Sequence, residues 1–372
     1  MRVSLRRSTP TEVVYQIDDS EISVSCTRPL LQASGDAQIA LGLLPALRSG
    51  QALRVDQPVS AQFAANLPML RSIFANWLDQ RPVDIDAPVD APAGRGGGVG
   101  SFFSCGVDSF YTALLHAHEI TALIFVHGFD IRVEDHALSA NALDHARRAA
   151  ADLGKELIEI RTDVRRYEPI GEDWVYTNGA AMAMVAHSLG GVLGRVYIPA
   201  SFTYKDMFPA GSHPMSDPLW SGTVDLVHDG ADTTRMGKVA AIAGSEAAAR
   251  HLRVCWENRG GRFNCCECEK CTRTMISLRA VGALERYRTF DRPLRLRRVR
   301  YGLVRDVPQA TFTRQILAEL EARGTDPDLA RALRWRLRIG PKRQALRRGG
   351  YRLYRGVLDA LTGRPAPETL RS

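Results

Sequence analysis

The sequence lacks any apolar run of the roughly 18 residues that a membrane-spanning helix requires. Its basic first residues are not followed by an apolar segment, so we expect no secretory signal. Of seven cysteines, only Cys26 and Cys105 lie outside residues 255–271, which argues against a spread disulfide framework and favours metal ligation in a reducing compartment. We therefore expect a cytoplasmic protein without a membrane partner.

Lysine is also scarce, with five lysines against 44 arginines. Residues 290–372 hold 20 basic and 8 acidic residues, a net charge of +12, whereas the rest of the chain carries −4. This pattern predicts a basic helical C-terminal region. Its arginines would suit nucleic-acid phosphates, but a solvated helical face explains them as well, and we do not favour a nucleic-acid partner.

The chain has 372 residues, more than one average domain, and its first ninety or so differ in pattern from the rest. Residues 13–17 and 22–26 predict a β-hairpin, and apolar residues between Leu67 and Trp77 predict a helix with Ser60 as a candidate N-cap. Proline and glycine concentrate in residues 81–100 and indicate a boundary near residue 93. We predict an N-terminal α+β extension (1–93), a central domain (94–289) and the basic region (290–372).

Strand-like and helix-like segments alternate in the central domain. Apolar runs predict strands at 99–103, 122–126, 156–161 and 195–199, with helices at 110–118, 138–153 and 179–189 between them. Such alternation predicts an α/β fold, a parallel sheet with helices on both faces. Ligand-binding loops are then expected at the carboxyl ends of the strands.

The first of these strands is followed by a short turn, Ser104-Cys105-Gly106-Val107-Asp108-Ser109, and then directly by a helix. Unpaired backbone N–H groups at a helix N-terminus suit phosphate, and glycine permits its close approach. An ordinary strand–helix connection with Ser109 as the N-cap fits the same residues.

This turn resembles the Ser-Gly-Gly-x-Asp-Ser fingerprint of the PP-loop ATP pyrophosphatase superfamily (adenine nucleotide alpha-hydrolase-like, Rossmann-like fold), with Cys105 where the family usually has glycine. The resemblance implies that ATP is cleaved to AMP and pyrophosphate as the substrate is adenylated. It implies a nucleotide cradle of Ser104, Cys105, Gly106, Val107, Asp108 and Ser109, with Asp108 and Ser109 catalytic and Asp108 holding Mg²⁺ or bracing the loop. At the end of the second strand it implies nucleotide contacts from Phe125, Val126, His127 and Asp130. For His127, a loop position without a catalytic role is the alternative.

Five cysteines lie between Cys255 and Cys271, and four of them have the spacing of metal ligands. Cys265, Cys268 and Cys271 form C-x₂-C-x₂-C, and Cys255 supplies a fourth thiol. Four thiolates close a tetrahedral structural Zn²⁺ site, which we favour over an iron–sulfur cluster or a redox dithiol. Cys266 is left over.

Together, the turn and the cysteine pattern resemble the 7-cyano-7-deazaguanine synthase family of queuosine biosynthesis, over about residues 97–285. The resemblance implies an ATP-dependent ligase that takes a small-molecule or peptide carboxylate and a nitrogen donor. In the wider superfamily a basic residue near a later helix start neutralises pyrophosphate, which singles out Arg235 and a catalytic Lys238. An exposed helix cation is the alternative.

Further polar residues follow the fourth strand and are expected to line a substrate pocket, with a surface turn as the alternative: Lys205, Ser212, His213 and Asp217. Two other functions stay open beside the ligase, a PP-loop tRNA-modifying enzyme and a non-catalytic nucleotide-binding zinc scaffold. A homodimer is compatible with any of the three.

Overall fold

The computed structural model describes residues 1–90, 95–305 and 307–362, apart from the side chains of residues 308 and 347–362. The predicted boundary near residue 93 lies outside the described residues. The strands are β1 (Arg2–Thr9), β2 (Glu12–Ile17), β3 (Ser20–Cys26), β4 (Leu53–Val55), β5 (Val59–Ser60), β6 (Ile85–Asp86), β7 (Val89–Asp90), β8 (Gly98–Phe102), β9 (Ala122–His127), β10 (Glu156–Thr162), β11 (Leu193–Pro199) and β12 (Asp225–Asp229).

The α-helices occupy the segments between and after these strands. They are α1 (Gly35–Ser49), α2 (Ala61–Trp77), α3 (Val107–Leu115), α4 (His136–Asp152), α5 (Glu168–Gly171), α6 (Trp174–Ser188), α7 (Arg235–Ile242), α8 (Glu246–His251), α9 (Glu269–Ala280), α10 (Leu296–Tyr301), α11 (Val307–Arg323) and α12 (Pro327–Thr362). Among the described residues, no helix is long and apolar enough to cross a bilayer.

Ten of the strands form one mostly parallel sheet in the order β12-β11-β8-β9-β10-β3-β2-β1-β4-β6. The five strands from β12 to β10 are parallel, as the alternating sequence pattern predicts. Since β8 lies between β9 and β11, the chain changes direction across the sheet at β8. The crevice beside the carboxyl end of such a strand is the usual ligand site of an open α/β sheet.

Alternate side chains of each central strand enter two different hydrophobic cores, because successive residues of a strand point to opposite faces. Ile124 packs in the core that contains α1, α2 and α6, whereas Leu123 packs in the core that contains α3 and α4. Helices therefore cover both faces, and the fold is α/β.

The N-terminal region is joined to this sheet. The predicted hairpin is confirmed as β2 and β3, and β3 pairs antiparallel with β10. Ser60 caps α2 as expected, accepting a hydrogen bond from the Phe63 N–H. The buried Asp36 carboxylate accepts hydrogen bonds from both the backbone and the hydroxyl of Ser60 and of Thr223, at 2.8–2.9 Å, which ties α1 and α2 to the loop before β12.

The basic C-terminal region is helical, as predicted, and part of it packs on the central domain. Val299, Ile316, Leu320 and Leu333 form a hydrophobic core with Met236 of α7 and with Ile276 of α9. Many of its described cations are solvent-exposed on the outside of the region, among them Arg331, Arg334, Arg338, Lys342 and Arg343.

Candidate functional site

The turn between β8 and α3 presents an open helix N-terminus. Phe103 still donates a sheet hydrogen bond to the Ile124 carbonyl, at 2.8 Å, so the turn proper begins after it. Gly106 occupies the N-cap position with an extended backbone, and no side chain caps the helix. The N–H groups of the first turn of α3 are thus left uncapped by side chains, as an anion site requires.

Cys105 adopts a left-handed backbone conformation, with φ of 59°, and its side chain is buried. Its carbonyl accepts a hydrogen bond of 2.8 Å from the Arg253 N–H. Burial raises the pKa of the Cys105 thiol far above its ordinary value, an effect that the Arg253 charge only partly offsets. The thiol is therefore protonated at neutral pH, which is unsuited to a nucleophile.

Two hydroxyl groups flank Gly106. A Cβ atom placed on Gly106 would lie 3.2 Å from Ser104 Oγ and 4.0 Å from Ser109 Oγ. Ser109 is buried and donates a hydrogen bond to the Gly106 carbonyl at 3.1 Å, so it is not the N-cap that the alternative interpretation assumed. Ser104 is exposed. Ser109 thus fastens the turn, while Ser104 can reach a ligand.

Asp108, in the first turn of α3, is paired with cations from α7. Arg235 Nη1 lies 3.1 Å from Asp108 Oδ2, and Lys238 Nζ lies 3.6 Å from Oδ1. Lys238 is almost fully buried and also donates to the Ala200 carbonyl, after β11. Burial lowers the pKa of Lys238. The helix start predicted from the sequence is confirmed, with Thr234 as its N-cap, and it brings both predicted cations to the β8–α3 turn.

A third cation and an aromatic ring complete this cluster. Arg273 of α9 pairs with Glu269 at 3.2 Å, and its guanidinium lies over the Phe312 ring, 4.2 Å from the centroid. Phe312 belongs to α11 and also stacks with Phe202, at a centroid distance of 5.8 Å. Sequence reasoning assigned neither residue to the site. Arg273 could have been found from its position two residues after Cys271, where it ends the cysteine motif, whereas no local pattern marks Phe312.

Several buried polar atoms around the turn have no hydrogen-bond partner within the described residues: Asp108 Oδ1, Arg235 Nε and Arg253 Nε. Such atoms are uncommon in folded proteins. Two of them are guanidinium N–H donors, the kind of group that pairs with anionic oxygens.

At the end of β9, the predicted nucleotide residues differ in accessibility. Phe125 is buried in the core, Val126 and His127 are half-buried, and Asp130 is exposed. Burial lowers the pKa of His127, whose Nε2 lies 3.4 Å from the Arg132 carbonyl, so this ring is neutral at pH 7.

A cavity of about 340 Å³ opens beside these residues, at the carboxyl ends of β9 and β10. Its lining includes Gly128, Arg132, Thr162, Asp163, Arg165 and Arg166. Arg166 pairs with Glu134, and Arg165 donates to the Phe129 carbonyl and lies over Trp174. Within the described part of the chain, the exposed guanidinium of Arg132 has no hydrogen-bond or ion-pair partner. The sequence analysis did not single out this basic cavity.

The predicted substrate residues fall into two groups. Asp217 is fully buried and accepts hydrogen bonds from the Ser212 hydroxyl at 2.8 Å and the His213 N–H at 3.2 Å. Its carboxylate also lies 2.6 Å from His228 Nδ1. These residues stabilise one another's positions. Lys205 lies apart from them, exposed in a short 3₁₀ turn after β11.

Cys255, Cys265, Cys268 and Cys271 converge as predicted. Their buried sulfurs all lie within 4.8 Å of one another. The Cys255–Cys268 and Cys265–Cys271 Sγ distances are both 3.9 Å. Tetrahedral ligation with metal–sulfur bonds of about 2.3 Å requires sulfurs about 3.8 Å apart, so this set fits a metal ion such as zinc.

Backbone N–H groups hold the sulfurs in place. Cys268 N donates to Cys265 Sγ at 3.1 Å, and Cys271 N lies 3.4 Å from Cys268 Sγ, at the start of α9. Cys266 is outside the set: its thiol contacts the Asp291 carboxylate at 3.6 Å, and burial raises its pKa to about 11.

A scan against protein-family models and searches of curated proteins and solved structures found no match to this chain.

Proposed function

We propose that this protein is an ATP-dependent ligase of the PP-loop type, which adenylates a carboxylate, releases pyrophosphate and transfers nitrogen to the activated carbon. The observation that carries the proposal is the joining of an uncapped helix N-terminus with cations from two other helices. Arg235 and Lys238 of α7 pair with Asp108 of α3, and Arg273 of α9 lies over the same Phe312 ring as Arg235. The β8–α3 turn follows the strand at which the chain changes direction across the sheet, and this placement supports a Rossmann-like PP-loop fold.

The chemistry of this site suits a departing pyrophosphate. Negative charge develops on the leaving group as the α–β phosphate bond breaks, and fixed donors stabilise that charge without reorganisation. The N–H groups of α3, the Ser104 hydroxyl and Lys238 are such donors. Asp108 holds Lys238 and Arg235 in position, and its Oδ1, which lies 3.6 Å from Lys238 Nζ and accepts no hydrogen bond within the described residues, is an oxygen ligand of the kind that Mg²⁺ prefers.

The remaining parts are assigned to substrate and to structure. The cavity lined by Arg132 and Arg165 lies at the same edge of the sheet and suits the anionic carboxylate acceptor. The four cysteines bind structural Zn²⁺, since four thiolates leave no open position for substrate.

The test is ATP–pyrophosphate exchange across a panel of small carboxylates, with AMP and pyrophosphate as the expected products. Asp108→Ala should lower the exchange rate by about a hundredfold or more, because it frees two cations from the geometry that preorganises them. The matched control is Asp144→Ala, which removes an exposed carboxylate paired with Arg148 on α4.

Release of ADP or orthophosphate in place of AMP and pyrophosphate would contradict the proposal. So would an equal effect of Asp108→Ala and Asp144→Ala on the exchange rate. Asp144→Ala should unfold at a denaturant concentration close to that of the unmodified protein, whereas Asp108→Ala should unfold at a lower one, because it removes the counter-charge of the buried Lys238. The exchange rates are therefore compared under conditions in which both variants are folded.

A further inference from the structure

A short segment, residues 252–255, lies between the β8–α3 turn and the cysteine cluster. It follows α8 and ends at the metal-ligand candidate Cys255. Three of its four residues are buried, and Val254 is half-buried. Because it belongs to no helix or strand, its position is set by the groups to which it is hydrogen-bonded.

One side chain, Asn264, supplies most of those hydrogen bonds on the metal side. Its Oδ1 accepts from the N–H groups of Val254, at 2.9 Å, and Cys255, at 3.2 Å. Its Nδ2 donates to the Leu252 carbonyl at 2.9 Å. Asn264 is buried and precedes the ligand candidate Cys265, so the cysteine cluster fixes where this amide lies.

On its other side, the segment is hydrogen-bonded to the β8–α3 turn. The Arg253 N–H donates to the carbonyl of Cys105 at 2.8 Å, and Cys105 is the residue of this turn that has a left-handed backbone. The Arg253 guanidinium donates to Asn258 Oδ1 at 2.8 Å, and its Nε is buried without a partner. Both the backbone and the side chain of Arg253 are thus placed by the metal-binding element.

We propose that Asn264 is a positioning residue that transmits the geometry of the metal centre to the β8–α3 turn through Arg253. The metal stabilises the Cys265 end, Asn264 sets residues 252–255, and the Arg253 N–H then keeps the Cys105 carbonyl in place. The consequence for pyrophosphate affinity rests on the proposed function, whereas the mechanical link does not.

The test compares Asn264→Ala with Cys266→Ser, a neighbouring buried position outside the ligand set. Three quantities are measured: bound zinc per chain, hydrogen exchange of the Arg253 amide, and the Kd of inorganic pyrophosphate by calorimetry. In Asn264→Ala we expect zinc to be retained. Exchange at Arg253 should be about tenfold faster and the Kd about tenfold higher, as for loss of a hydrogen-bonded support. Cys266→Ser should match the unmodified protein in all three.

If Asn264→Ala does not fold, chelation of the metal from the unmodified protein tests whether the geometry at Arg253 depends on the metal centre. The Arg253 amide should then exchange faster while the Leu123 amide of β9 stays protected. Unchanged Arg253 exchange, in either the variant or the chelated protein, overturns the inference. Failure of the unmodified protein to bind pyrophosphate would instead refute the proposed function, and the exchange measurement would still decide the mechanical link.

Discussion

Cys105 allows backbone strain to be separated from thiol chemistry, because two substitutions there both remove the sulfur. Cys105→Ala keeps a Cβ atom at a φ of 59°, whereas Cys105→Gly removes it. The left-handed conformation costs an ordinary L-residue roughly 1–2 kcal/mol, and glycine loses roughly 0.5–1 kcal/mol more chain entropy on folding. The glycine variant should therefore have the higher free energy of unfolding, by about 0.5–1 kcal/mol.

The assay is urea unfolding of both variants, with the ATP–pyrophosphate exchange rate measured in parallel. Both should retain exchange, because burial raises the pKa of the Cys105 thiol and keeps it protonated. An alanine variant as stable as the glycine variant would refute the strain estimate. Loss of exchange in both variants would show that the thiol takes part in the reaction, and sulfur transfer would then be the better hypothesis.

Two further predictions concern the metal centre and the buried lysine. Cys268→Ser should lose zinc and lower the midpoint of urea unfolding, since a structural metal contributes folding free energy, whereas Cys266→Ser should keep one zinc per chain; iron with visible absorbance in the purified protein would contradict this. Lys238→Met should abolish exchange and also flatten the dependence of stability on pH. Burial lowers the Lys238 pKa below its ordinary value of 10.5, so the unfolded chain binds this proton more tightly. This destabilising contribution is fully present below the folded-state pKa and is relieved as pH rises through that pKa toward 10.5. A variant whose unfolding free energy changes with pH as the unmodified protein's does would refute this assignment.

Six of the twelve strands within the described residues could be predicted from local pattern, among them β8, β9, β10 and β11 of the parallel sheet, whereas β1, β12 and the buried helix α1 were not predicted. The strand β9 and the helix α4 have the apolar periodicity that their burial requires, and their predicted bounds differ from the observed ones by one or two residues. The cysteine cluster was equally accessible, because ligand spacing is a local property of the chain. The joining of β3 to β10 was not predicted, since pairing between distant strands leaves no mark in either strand's own pattern.

The site residues likewise divide into those that a local sequence pattern marks and those that are placed by contacts between distant parts of the chain. Arg235 and Lys238 follow a local motif, and the structure brings both to Asp108. Asn264, Phe312 and Arg253 act through contacts across the fold, which residue type and spacing do not encode. Ser212 and Asp217 illustrate the opposite difficulty: the same residue types serve a substrate pocket and a buried hydrogen-bond network, and only burial distinguishes them. Their substrate role stays a prediction.

The pairing of β3 with β10 also affects how the chain avoids self-association. Without β3, the segment of β10 that pairs with it, residues 160–162, would form part of an open sheet edge. Open edges of this kind recruit strands from other molecules and start aggregation. The N-terminal hairpin thus covers the edge of the central parallel sheet, and a fragment that begins after residue 94 would expose that edge and should self-associate more readily.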